Sequence, residues 1–362
     1  MYTFFGFRST LVYSLVVCTY THAYYLSVVL FKILPVTFCN PQILKYVSLV
    51  TLTLQNAVLG LSMRYARTRA GDMFLSSTAV VMAEAVKLAT CLILVYVEEG
   101  NFRKFLRTLN LTIIKQPLDT LKVCVPSLVY IIQNNLLYIS ASHLDAATYQ
   151  VTYQMKILTT AFFAVLILRK TLLAIQWSAL MLLLTGVILV QLDQSKPSSV
   201  PSGTEQNHLI GVSAALSACF LSGFAGIYFE KILKGSDISV WMRNVQLSLL
   251  SLPFGLFTCF LYDGTIIFKQ GFFFGYDWVV YYLVVLQAGG GLVVAMVVKH
   301  ADNILKGFAT SLAIVISCIA SIYLFAFHLS LQFATGATLV ICSIFMYSHQ
   351  PRTNDILGTV SI

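Results

Sequence analysis

Residues 130–170 read YIIQNNLLYISASHLDAATYQVTYQMKILTTAFFAVLILRK, two apolar stretches about a short turn at His143 and Asp145 with polar side chains set inside both. From Asp145 onward, Thr148, Tyr149, Thr152, Tyr153, Lys156, Thr159 and Thr160 recur at spacings of three and four. At about 100° per residue they share one helical arc of roughly 140°. The spacing predicts one face that is a ladder of hydroxyls carrying a single ammonium. Val151, Met155, Ile157, Leu158 and Ala161 turn away from it, while Gln150 and Gln154 are polar but off the ladder. A Lys near the middle of a spanning helix costs about 2.5–3.5 kcal/mol on insertion scales, so it should face a cavity or a counter-charge. Lys156 is therefore the first candidate for function.

Upstream, Tyr130, Gln133 and Asn134 share a helix face, and Asn135 follows. The turn at His143 and Asp145 makes the two helices antiparallel neighbours, able to wall one cavity. Gln and Asn also serve as hydrogen-bonding glue between membrane helices, a reading that stays open for Asn135.

Composition sets the class. The chain has 362 residues, 58% of them hydrophobic and 10% charged, with a mean hydropathy of +0.82. Several apolar runs reach the roughly 20 residues that span a bilayer, so this is an all-α polytopic membrane protein. The net charge of +9 comes from Lys and Arg scattered in short connections. Such a distribution reads as orientation in a membrane rather than nucleic-acid binding. The eight Cys stand singly with no CxxC or Cys/His ligand spacing, so neither a metal site nor a disulfide framework is predicted. No cofactor-binding motif is present either.

Ten spans are expected, at 46–63, 73–96, 122–140, 146–168, 172–192, 209–233, 240–261, 279–298, 304–327 and 331–347. Residues 1–44 form a hydrophobic extension that reads as an optional extra helix, and 351–362 a tail. The Ser/Pro/Gly-rich stretch Ser195–Asn207 divides the membrane domain, 45–350, into halves at 45–193 and 208–350. With five helices each, the halves would be inverted if they are repeats. His143-Leu144-Asp145 and His300-Ala301-Asp302 fall at matching turns, each after a helix carrying a Gln (Gln133, Gln287). Inverted repeats are typical of secondary transporters, with the site near the midplane. With both ends of the core in the cytosol, eleven basic residues fall in cytosolic connections or the tail and five outside, which favours that orientation.

Other constellations are ambiguous on sequence alone. Glu84 and Lys87 stand at i, i+3 in the second span, where a structural pair and a substrate role are equally open. Ser222-Gly223-Phe224-Ala225-Gly226 allows close helix packing, yet Tyr228 and Asn244 nearby could supply stacking and hydrogen bonds. Lys299 ends the eighth span, either snorkelling to the interface or facing Lys156 across the cavity. Two cations with tyrosines suit a pyrophosphate and a base.

Several stretches resemble the Golgi nucleotide-sugar transporters of the drug/metabolite transporter superfamily. They are Arg64-Tyr65-Ala66-Arg67-Thr68, Gln133-Asn134-Asn135-Leu136, Leu144 to Gln154, Ser222 to Leu233 (SGFAGIYFEKIL) and Ala301 to Phe308 (ADNILKGF). The resemblance covers about residues 45–350 and implies ten helices in two inverted five-helix halves. It further implies cytosolic ends in a Golgi membrane and exchange of a cytosolic nucleotide sugar for a luminal nucleoside monophosphate. By motif it places Tyr130, Gln133, Asn134, Tyr149, Tyr153 and Lys156 on the nucleotide, and Ser222 and Gly223 beside the base. Asn244 falls in the cavity, Lys299 on the phosphate, and Glu84 and Lys87 toward the sugar. Ser248 stands where CMP-sialic acid members carry a Tyr, and Gly271-Phe272-Phe273-Phe274-Gly275-Tyr276 is most similar to UDP-galactose transporters. The expected ligands are thus a UDP sugar, UDP-galactose ahead of UDP-N-acetylglucosamine, and UMP. The expected setting is the lipid bilayer, with homo-oligomers or glycosyltransferases as partners. A membrane-embedded glycosyltransferase would need a carboxylate pair or a DxD motif, and the sequence carries neither.

Overall fold

The computed structural model describes residues 41–69, 72–194, 207–234, 238–300, 303–325, 327 and 329–348, with side chains placed in 50–69, 72–193, 207–232, 238–293, 312–325, 327 and 329–347. The optional helix before residue 41, the 195–206 connection and the tail lie outside these residues, as do the side chains of Lys299 and His300.

Every described segment of regular structure is helical. In chain order the helices are α1 (Pro41–Thr68), α2 (Ser76–Glu99), α3 (Phe102–Leu109), α4 (Pro117–Lys122), α5 (Cys124–His143), α6 (Ala146–Thr152), α7 (Lys156–Leu168), α8 (Ala174–Gln194), α9 (His208–Lys234), α10 (Val240–Gln270), α11 (Trp278–His300), α12 (Asn303–Phe325) and α13 (Leu331–Ser348). A π-helical turn, Asn110–Ile114, links α3 toward α4, and a 3₁₀ turn, Tyr153–Met155, joins α6 to α7. Each of the ten expected spans falls on one of these helices. Six stretches are long and apolar enough to cross a membrane: Ser76–Glu99, Pro117–His143, Ala146–Leu168, Ala174–Asp193, His208–Ile232 and Val240–Gln270. The chain is therefore a multi-pass membrane protein.

The ends are set by local chemistry. Gly100 closes α2 in the left-handed conformation, φ 67°, with its N–H on Tyr96 O. Asn101 then caps α3 by accepting from Arg103 N (2.9 Å). What sequence reading treated as a cytosolic connection, 97–121, is thus a folded amphipathic segment. Ser239 caps α10 from the other side of the bundle, accepting from Met242 N (3.3 Å).

The helices pair across the molecule. α1 packs on α11 and α12, α9 on α5 and α7, α2 on α10, and α8 on α13, while α10 also meets α5 and α11 meets α2. At the α8–α13 seam a Cβ on Gly186 would come within 2.7 Å of Gly336 O, and one on Gly336 equally near Gly186 O. Small residues let the backbones touch there, as membrane packing favours.

One end of the bundle is laced shut by the motifs Arg64-Tyr65-Ala66-Arg67-Thr68 and Gly271 to Tyr276. Arg64 donates to Ala141 O (3.2 Å) and Ser142 O (3.0 Å) and pairs with Asp145 (3.4 Å). Arg67 donates to Ser142 Oγ (2.8 Å) and Phe74 O (2.9 Å), and Arg69 pairs with Asp277. Gly275, at φ 70°, lies so close to Phe74 that a Cβ would sit 2.6 Å from its amide nitrogen. Burial alone would raise the Asp277 carboxyl, but hydrogen bonds from Arg69 and the Val280 amide outweigh it and hold the group below its usual range. The clasp is at full strength above the ordinary carboxylate pKa and is lost as pH falls through the lowered value.

The glycosylation sequon Asn110-Leu111-Thr112 begins the π-helical turn, and its Thr112 is buried, with its carbonyl accepting from Gln246 (3.4 Å). No glycan is expected at Asn110. A glycosidase-sensitive mobility shift that disappears in Asn110→Gln would contradict this placement.

Candidate functional site

The site is built on the α6–α7 span where it crosses α5 and α9. Tyr149 and Tyr153, one helical turn apart, stack with ring centroids 6.0 Å apart and planes 5° from parallel. Lys156 Nζ lies 4.2 Å from the Tyr153 ring centroid, a cation–π contact. From α5, Gln133 Nε2 donates to the Tyr153 phenol (3.2 Å), and from α9 the Ser222 hydroxyl is hydrogen-bonded to the same oxygen. Tyr130, one turn before Gln133, is near enough to Tyr153 to interact electrostatically. Three helices thus converge on one phenol, and an ammonium is held beside an aromatic face.

The threonines do not join that face. Thr152 donates to Thr148 O (2.7 Å) in its own helix and accepts from Gln191 of α8. Thr159 donates to Cys219 O of α9 (2.6 Å) and sits against Gly223. The reason is the turn Tyr153–Met155: at three residues per turn it advances about 20° more per residue than an α-helix, roughly 60° in all. A continuous arc through Asp145 and Thr160 is therefore broken at Tyr153. Asp145 belongs to the clasp with Arg64, and His143 Nδ1 accepts from the Asn207 amide (3.2 Å).

Gly223 has a packing role. A Cβ there would lie 2.7 Å from the Thr159 carbonyl carbon and 2.8 Å from Thr160 N, so glycine lets α9 approach α7 and brings Ser222 to Tyr153. Tyr228 stacks on Phe224 of its own helix, centroids 5.8 Å apart. Asn135 donates to Ile131 O (3.0 Å) and Asn244 to Val240 O (2.8 Å), each within its own helix. Asn134 is half-buried on the same helix as Gln133. Ser248 is wholly enclosed.

Glu84 and Lys87 form a second polar group on α2, with Lys87 Nζ 2.7 Å from Glu84 Oε1. The pair is deep, with side chains 4% and 13% exposed, and Lys87 faces α11, its Cδ 3.7 Å from where a Cβ of Gly291 would stand. The second carboxylate oxygen, Glu84 Oε2, is buried and makes no hydrogen bond among the described residues. Elsewhere Tyr138 of α5 donates to Gln287 Oε1 of α11 (2.8 Å), tying the two Gln-bearing helices together.

Sequence reading passed over one buried charge. Arg243, 0% exposed, pairs with Asp119 of α4, its Nη2 3.2 Å from Oδ1, and donates to Gln246 Oε1 (2.8 Å). Gln246 donates in turn to Thr120 Oγ1 (3.0 Å). The signal was available, since an arginine inside an apolar run invites the same question as Lys156. Among the described residues no three His, Cys, Asp or Glu side chains gather as a metal site.

Comparison with known proteins covers nearly the whole chain. Residues 40–348 match the family described as nucleotide-sugar transporter. A protein from Mus musculus named UDP-galactose translocator is 54% identical over 306 residues, which is 84% of this chain and 78% of its own length. Homo sapiens UDP-N-acetylglucosamine transporter is 49% identical over 313 residues, 85% of this chain and 96% of its own. A Caenorhabditis elegans protein named as a transporter of UDP-N-acetylglucosamine and UDP-N-acetylgalactosamine is also 49% identical, over 322 residues.

Proposed function

Because the chain belongs to the nucleotide-sugar transporter family, whose members are transporters and not enzymes, we propose that it exchanges a UDP sugar, UDP-galactose first, for UMP across the Golgi membrane. The observation that carries this reading is the Tyr149–Tyr153–Lys156 arrangement. Stacked rings offer an apolar slot for a planar base, and the ammonium beside them offers a charge-assisted partner for phosphate. Gln133 and Ser222 hold the Tyr153 phenol from either side, and Tyr130 and Asn134 extend the same wall from α5. Gly223 keeps α9 close enough for Ser222 to reach. Glu84 and Lys87 are assigned to the sugar, where a carboxylate oxygen without a hydrogen bond suits hydroxyls. Asn244 and Lys299 complete the proposed set by motif alone.

The proposed architecture is ten spans in two inverted halves. Support comes from the symmetry of the packing. Exchanging the halves turns the α1–α11 contact into α9–α5, α1–α12 into α9–α7, and α10–α5 into α2–α11, and leaves α2–α10 and α8–α13 unchanged. With cytosolic ends, the arginine clasp lies on the lumenal side and the Arg243–Asp119 pair on the cytosolic side. Arg243, outside the earlier count of bases, adds to the cytosolic excess.

Uridine carriers should be preferred over cytidine carriers. Ser248 is fully enclosed where the cytidine-carrying members have a Tyr, so no aromatic contact reaches the site from this position. Uptake into protein-containing vesicles, competed by a panel of UDP sugars and by CMP-sialic acid, tests both the nucleotide and the sugar. UDP-galactose should compete best. Faster uptake of CMP-sialic acid than of UDP hexoses would overturn the nucleotide assignment, and a dominant UDP-N-acetylglucosamine would shift the sugar.

A further inference from the structure

We propose that residues 102–122 form an anionic-lipid-binding element lying along one surface of the bilayer. On α3 the apolar side chains Phe102, Phe105, Leu106 and Leu109 occupy one arc of about 100°, and Arg103, Lys104 and Arg107 occupy the other side. Phe105 and Leu109 pack inward on the cluster of Cys91, Val95, Met242 and Val245. Phe102 and Leu106 instead face out, 59% and 48% exposed, and Ile114, Leu118 and Leu121 extend the outward apolar strip at 71%, 76% and 62%. That strip continues the outward side of the last turns of α2, where Ile93, Tyr96 and Val97 are exposed and the Tyr96 ring meets both Phe102 and Phe105. An apolar surface running on from a membrane-spanning helix belongs to the acyl phase.

Charge selects the headgroup. Between 101 and 123 the basic residues are Arg103, Lys104, Arg107, Lys115 and Lys122, all exposed. The single carboxylate in that stretch, Asp119, is engaged by the buried Arg243. The segment therefore presents positive charge above an apolar face, the pattern by which amphipathic helices hold anionic leaflets. It is also anchored rather than loose, through Asp119 to Arg243 and through Thr120 to Gln246 of α10. The inference concerns binding alone and holds whichever side of the membrane the segment occupies and whatever the transporter carries.

The test uses the purified full chain in zwitterionic-lipid nanodiscs and a variant with Arg103→Gln, Lys104→Gln, Arg107→Gln and Lys115→Gln. Wild type should retain added phosphatidylserine over phosphatidylcholine, and the variant should retain it at least about tenfold less, since each basic residue near the surface contributes to anionic-lipid attraction. Equal retention by both proteins would overturn the proposal. So would competition by inorganic phosphate at matched ionic strength, which would mean a free-anion site. A second variant keeps the idea testable if the first folds poorly. In Phe102→Trp the added tryptophan fluorescence should be quenched by lipids brominated in the acyl chain, and an unquenched signal would place the segment in water.

Discussion

Lys156→Ala is expected to abolish nucleotide-sugar exchange while leaving the protein folded and at normal abundance. Its ammonium sits beside the Tyr153 ring at 4.2 Å, on the wall shared with Tyr149, where a phosphate would be largely desolvated. Removing one partner of a buried charge pair costs on the order of 2–5 kcal/mol, or about 30-fold or more in affinity. The competing explanation makes Lys156 the structural partner of Glu84. Glu84 already holds Lys87 at 2.7 Å, so that pairing is taken. A structural lysine would give misfolding on substitution and partial rescue in a Glu84→Ala, Lys156→Ala double variant. Lys156→Arg should not fully restore exchange, because a planar fork replaces a compact ammonium. Expression, melting temperature and exchange measured on equal amounts of protein separate the two accounts, and near-normal exchange by the Ala variant would mean the site lies elsewhere.

The largest expected effect on stability is at Asp119. Arg243 is completely buried and Asp119 is 26% exposed, so the pair is enclosed on one side only. Truncating one partner of a buried pair typically costs 3–5 kcal/mol, and partial exposure places Asp119→Ala near the lower end, about 3 kcal/mol. The variant should melt several degrees below wild type in the same lipid. Adding Arg243→Met should recover most of the loss, since exchanging a whole buried pair for apolar volume is often neutral or better. If the single variant melted within about 1 °C of wild type, the pair would contribute as little as an exposed surface bridge.

These two residues also mark how far the sequence could be read. Tyr149, Tyr153 and Lys156, at i, i+4 and i+7, were legible as a face because a helical turn brings them together whatever surrounds them. The threonines interleaved with them follow the same period but serve other ends. A hydroxyl can donate to a carbonyl of its own helix, as Thr152 does to Thr148, and no periodicity distinguishes that from a cavity-lining role. The 3₁₀ turn at Tyr153 was equally invisible, being set by packing between helices rather than by local propensity. Glycine at 223 left two readings open, and the backbone of Thr159 and Thr160 decides for close packing. Residues 102–122 looked like a connection because the run is too short and too charged to span. Its apolar residues nonetheless repeat at helical spacing, and that was the signal to follow. Arg243 was hidden among the apolar residues of α10, although its charge alone should have raised the question.

The central claim is exchange of intact nucleotide sugar for UMP through this cavity. The direct measurement is counterflow: vesicles containing the purified protein are preloaded with UMP or left empty, radiolabelled UDP-galactose is added outside, and the accumulated label is identified chemically. The account predicts rapid uptake of unaltered UDP-galactose into UMP-loaded vesicles, little into empty ones, and none with Lys156→Ala. Equal accumulation with and without internal UMP, or label recovered in a new glycosidic product, would contradict it.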